Sequence, residues 1–183
     1  MRSEAVALLT LAAAACNRGA PPSVPASDCG YPEIRSGTCK ITLSGALTGT
    51  LACSVDPVYD VFKKEFLLRL GVESSDSARV GGRVSISVRF GGEPRIATYR
   101  NTAPGTASAM YVYSSDFLAE WSETVGGPGA PQGSHLLTIT KLGIPYCVSQ
   151  SKAYPGMQGS LDATLPASAS SAASGTVILR ATL

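Results

Sequence analysis

Four cysteines carry the clearest chemistry in this chain: Cys29, Cys39, Cys53 and Cys147. In an oxidising compartment an even count reads as two disulfides, with three pairings open. If the first reverse turn centres on Ala46, Cys39 and Cys53 fall opposite each other across a hairpin, and Cys29 is left for Cys147. The rival pairing, Cys29–Cys39 with Cys53–Cys147, closes one short loop and one long one. Each bridge contributes about 2–4 kcal/mol. There is no C-x-x-C pair, and His135 is the single imidazole, so neither a metal centre nor a redox dithiol is expected.

His135 follows Gly133-Ser134 at the start of a strand-like run. As a general base it would need a nucleophile and an orienting acid, and no G-x-S-x-G elbow is present. A surface or strand-end histidine is the expectation. Asp116, Glu120 and Glu123 cluster, but a strand would turn Glu120 and Glu123 to opposite faces. That spoils the paired carboxylates of a glycosidase, and the calcium-loop spacing is missing. A solvated acidic face is expected. Tyr111 and Tyr113 share a strand face, with Trp121 nearby in sequence. Such aromatics serve either as core or as a flat binding surface for sugars or a protein partner. No catalytic residue, metal or cofactor is assigned.

The elements that would position these residues are short strands. Val84, Ile86, Val88 and Phe90 alternate strictly with polar residues between glycine pairs. Strands are also expected over 40–43, 47–53, 107–113 and 136–142, with 117–124 continuing from 113, and 95–100 is read as a hairpin partner of 84–90. Residues 143–159 read as a long loop holding Cys147. A closing hairpin runs 160–165 and 175–183, its last residues completing an alternating pattern. Asp56-Pro57 ahead of Val58, Val61 and Phe62 has the marks of a helix start, so a short helix over 57–63 is expected to feed a strand over 64–72. The sum is a mainly β, antiparallel two-sheet β-sandwich of about 8–9 strands. A closed lipocalin-like β-barrel, able to hold a small apolar ligand, is the alternative.

The N-terminus gives a location. An apolar run from Ala5 to Ala15 is too short to span a bilayer but fits a secretory signal. It ends in Ala13-Ala14-Ala15-Cys16, which resembles the cleavage and lipidation motif of bacterial lipoproteins; Ala13 departs from the usual aliphatic residue there. The resemblance implies removal of residues 1–15 and acylation of Cys16, with Asn17 leaning towards the outer membrane. A cut by an ordinary signal peptidase would instead release a secreted or periplasmic soluble protein. Residues 16–28, rich in Pro, Ser and Ala, form a flexible linker, and 29–183 a single domain.

Charged residues make up 15% of the chain and the net charge is +2, with no basic run longer than Lys63-Lys64. This excludes the concentrated basic footprint of a nucleic-acid binder. The expected protein is a lipid-anchored, extracytoplasmic module of the bacterial cell envelope that binds or organises an envelope protein or glycan without catalysis. A barrel carrier of an apolar ligand is the second reading and an extracytoplasmic hydrolase the third.

Overall fold

The computed structural model describes residues 37–72, 83–100, 107–113, 118–123, 132–148, 150–168 and 171–183. Cys16, Cys29, Asp116 and the expected N-terminal signal lie outside these residues. The described residues form twelve strands and no helix. The strands are β1 (Gly37–Gly45), β2 (Gly49–Asp60), β3 (Glu65–Val72), β4 (Arg83–Gly91), β5 (Ala97–Arg100), β6 (Ala107–Tyr113), β7 (Leu118–Ser122), β8 (Ser134–Lys141), β9 (Tyr146–Val148), β10 (Ser151–Ala153), β11 (Gln158–Pro166) and β12 (Thr176–Thr182). All belong to one hydrogen-bonded antiparallel sheet ordered β5-β8-β11-β12-β1-β2-β3-β4-β6-β7, with β10 on the β1 side of β2 and β9 beside β10.

Period-2 alternation builds the interior. In β4 Val84, Ile86, Val88 and Phe90 are buried while Arg83, Arg89 and Gly91 are exposed. The neighbouring β3 buries Phe66, Leu68, Leu70 and Val72 in register with them. The same rule puts Ile41 and Leu43, Leu161 and Leu165, and Val177 and Leu179 inside. One face of a single sheet is therefore largely apolar, and the sheet curls to bury that face against itself. The C-terminal residue is tied in by reciprocal backbone bonds between Leu183 and Gly159, 2.9 and 3.3 Å long.

Three expectations are corrected. Residues 57–63 are not helical: β2 runs through Pro57 to Asp60, and a turn over 61–64 leads to β3. Val55, Pro57 and Tyr59 bury at strand spacing against Leu70, Leu68 and Phe66, which two turns of helix could not match. Pro57 is tolerated because β1 begins opposite Val55 and β10 ends opposite Val58. The missing N–H of Pro57 falls in that gap, while its carbonyl accepts from the Tyr154 N–H at 3.0 Å. The turn is capped by Asp60 rather than Asp56. Its Oδ1 accepts from the N–H groups of Phe62 (3.0 Å) and Lys63 (2.9 Å), and Lys64 takes a left-handed φ of 54°.

Second, β5 does not pair with β4. It crosses to the other edge of the sheet and pairs with β8, Ala97 opposite Ile139, while β6 takes the free edge of β4. Tyr99 thereby stacks on Phe90 from across the interior, ring centroids 3.9 Å apart. Third, the loop expected over 143–159 contains the β9–β10 hairpin, which extends β2 beyond the start of β1. Three-residue strands are too short to show a period in the sequence.

Candidate functional site

The first hairpin behaves as the cysteine spacing requires. Gly45, at a φ of 90°, turns the chain so closely past β12 that a Cβ there would lie 2.3 Å from the Thr176 carbonyl oxygen. The register that follows sets Cys39 opposite Cys53, and the two are bridged with Cα atoms 4.8 Å apart. Cys147 is disulfide-bonded too, to a partner outside the described residues.

A dense polar constellation among the described residues lies where the β7 end of the sheet folds back onto the connection between β11 and β12. Here β7 bonds to the connection between β11 and β12: Ser168 N–H donates to the Glu120 carbonyl (2.8 Å), Ala172 N–H to the Leu118 carbonyl (3.2 Å), and Trp121 pairs with Ala167 as an isolated bridge. One residue past β7, the Glu123 carbonyl accepts from the Gly133 N–H at 3.3 Å, just ahead of β8. Only glycine fits position 133. A Cβ there would sit 2.7 Å from the Thr164 carbonyl oxygen and 2.8 Å from the Glu123 Cα.

Across this seam His135 reaches Glu123. Its Nδ1 lies 2.5 Å from Glu123 Oε1, while Glu123 Oε2 accepts from the Ser108 N–H at 2.8 Å. The His135 side chain is fully buried and that of Glu123 is 7% exposed. His135 stands at a strand end as expected, but buried rather than at the surface, and the acidic face is not wholly solvated. Glu120 points outward and Glu123 inward, as strand alternation demands. The carboxylate that could not pair with Glu120 pairs with a histidine twelve residues away instead. Among the described residues, the buried His135 Nε2 and Ser108 Oγ find no hydrogen-bond partner. Serine, histidine and carboxylate thus meet, but all three face the packed interior. The sequence held one signal for this: an inward-facing His at position 135 of a strand whose neighbours Leu137 and Ile139 are core.

The aromatics separate. Trp121 is a core residue, 4% exposed, its Nε1 donating to the Ser174 carbonyl at 3.3 Å. Tyr111 is half-buried on the opposite, outer face of the sheet, bordering a depression with Arg89, Glu120 and Ser87. Tyr113 belongs to β6, and its side chain lies outside the described part. No single patch therefore presents Tyr111 and Trp121 together.

A second outer-face feature is an open groove of about 320 Å³ across β8, β11 and β12, lined by Arg100, Ser134, Leu136, Asp162, Thr164 and Arg180. Arg180 Nε lies 3.6 Å from Asp162 Oδ1, so charge there is partly matched within the wall. The His135 side chain, on the other face, does not enter it. A further cluster joins β10 to the segment after β4: Glu93 Oε1 accepts from the Tyr154 hydroxyl (2.6 Å) and the Lys152 Nζ (2.9 Å). The Tyr154 hydrogen bond, then that of Lys152, hold the Glu93 carboxyl below its ordinary value. Burial, reinforced by the same carboxylate, pushes the Tyr154 phenol well above its own. Among the described residues no three His, Cys, Asp or Glu side chains group to hold a metal ion.

Comparison with protein-family models, with curated proteins and with solved structures found no match. The chemistry must therefore be argued from the chain itself.

Proposed function

We propose that this chain is a lipid-anchored module of the bacterial cell envelope, processed at Cys16, held by the 16–28 linker, and working by binding or scaffolding rather than catalysis. The observation that carries this reading is the Cys39–Cys53 bridge, because disulfides persist in oxidising, extracytoplasmic compartments. The bonded state of Cys147 supports it, and Cys29 is the natural partner once Cys16 is spent on lipid. Asn17 favours the outer membrane as the destination.

We read the curled sheet as a flattened barrel rather than two separate sheets of a sandwich. The support is the unbroken ladder from β5 to β7 and the bonding of β7 back onto residues 167–172. Its interior positions carry Phe66, Phe90, Met110, Trp121 and Leu137, all nearly inaccessible. An interior filled this way favours a scaffold over a carrier, which needs several hundred cubic ångströms of enclosed apolar space. The His135 route to a hydrolase is disfavoured as well: a base must meet substrate, and the His135 side chain is fully buried against Glu123.

The test is the intact mass of the protein purified from its native membrane, before and after reduction with alkylation. Diacylglyceryl and acyl mass on a chain starting at Cys16, with four cysteines alkylated only after reduction, is the expected result. A full-length chain retaining Met1 with free thiols overturns it.

A further inference from the structure

We propose that the loops over 61–64, 92–96 and 142–145 form the face by which the domain lies on a lipid bilayer, an inference resting on the lipid-anchored reading above. Phe62, Ile96 and Ile144 are 64%, 67% and 75% exposed. Isolated exposed apolar residues are ordinary. These three stand on loops that contacts bind into one region. Gly92 N–H donates to the Lys64 carbonyl at 2.7 Å, and Val61 N–H to the Gln150 carbonyl at 2.8 Å. Glu93 binds Lys152 and Tyr154, and Gly143 packs directly on the Pro155 carbonyl. Ile96 adjoins Ala97, which pairs with Ile139 near the end of β8.

Two further features identify the occupant. In and beside these loops Lys63, Lys64, Arg95, Lys141 and Lys152 outnumber the acids Asp60, Glu65 and Glu93, which suits the anionic headgroups of a bacterial membrane. Large apolar tips among cations are the composition of surfaces that settle at the headgroup boundary. The chain also enters the sheet in this quarter: β1 begins at Gly37 opposite Val55, in line with β10. With Cys29 bridged to Cys147 as proposed, about a dozen residues separate Cys16 from that anchor, enough to span roughly 40 Å when extended. Such a tether permits contact without imposing it. It also holds the face at an effective concentration of about a millimolar, so weak apolar and ionic contacts suffice.

The experiment uses the mature full chain, its lipidation verified by mass, reconstituted into phosphatidylglycerol vesicles containing brominated acyl chains. Phe62→Trp reports on the proposed face and Ile178→Trp on the outer sheet surface, with Trp121 a shared, buried background. Bromolipid quenching of the Phe62→Trp chain is expected to exceed that of Ile178→Trp by roughly threefold or more. It should fall when Lys63, Lys64 and Arg95 are replaced by Gln. Equal quenching of the two reporters on a chain that carries lipid mass overturns the bilayer face alone. Absence of lipid mass overturns the anchored reading and this face with it. Concentration-dependent self-association that shields the Phe62→Trp reporter without quenching assigns the face to a second copy of the chain and also overturns the proposal.

Discussion

His135→Ala should loosen the contact between Glu123, just past β7, and β8. The imidazole is fully buried and Glu123 nearly so, so removing the ring leaves a buried carboxyl with the Ser108 N–H as its remaining described partner. Stranding one member of such a pair costs about 3 kcal/mol, between the penalty for a lost neutral hydrogen bond and that for an uncompensated buried charge. Against a total stability of about 5–15 kcal/mol this is a large fraction. With a urea dependence of about 2 kcal/mol per molar, the unfolding midpoint should drop by about 1.5 M. Trp121 is the only tryptophan and bonds across the same seam to Ser174, so its fluorescence reports the event directly. Glu123→Gln keeps an acceptor for the Ser108 N–H and can donate to a neutral ring, so its loss should be about half as large. The Glu123→Leu/His135→Leu pair should recover part of the loss, giving a coupling of at least about 1 kcal/mol in the double-mutant cycle. A His135→Ala midpoint within about 0.3 M of the parent would refute the reasoning, because the contact would then carry no stability.

Three other outcomes follow from the same geometry. Replacing Cys39 and Cys53 by Ser opens a loop with a sequence separation of 14 and should cost about 3 kcal/mol in equilibrium unfolding; a loss below about 1 kcal/mol would mean that the hairpin is held by its ladder alone. Gly133→Ala drives a methyl into the Thr164 carbonyl and the Glu123 backbone, so the melting temperature should fall by several degrees, about 1–3 kcal/mol of overpacking. Acid should weaken the β10 cluster. The Tyr154 and Lys152 hydrogen bonds lower the folded-state pKa of Glu93 below the ordinary 4.5. That contribution is present above 4.5 and is lost as pH falls through the lower folded value. Tyr154→Phe should therefore flatten the acid limb of the stability–pH profile measured by thermal unfolding, and an unchanged limb would count against it.

Much of the fold could be read locally. Val84 to Phe90 and Val177 to Leu183 declare a strand because one buried and one wet face force a period of two. The Cys39–Cys53 register followed from a turn of known place and the strict pairing of opposite residues. Residues 57–63 misled because Asp-Pro also opens helices; whether Pro57 could sit in a strand depended on a gap between β1 and β10 that no local pattern reveals.

The chain on its own determined the period of its strands, its first hairpin and the Cys39–Cys53 bridge within it, since each depends on residues within about twenty positions of one another. Tertiary structure alone decided that β5 would cross to β8 and that Glu123 would meet His135. Those outcomes depend on how far the twisted sheet curls, a property of all its strands summed. Burial, not residue type, turned a strand-end histidine and one acid of a polar cluster into the clasp of the fold.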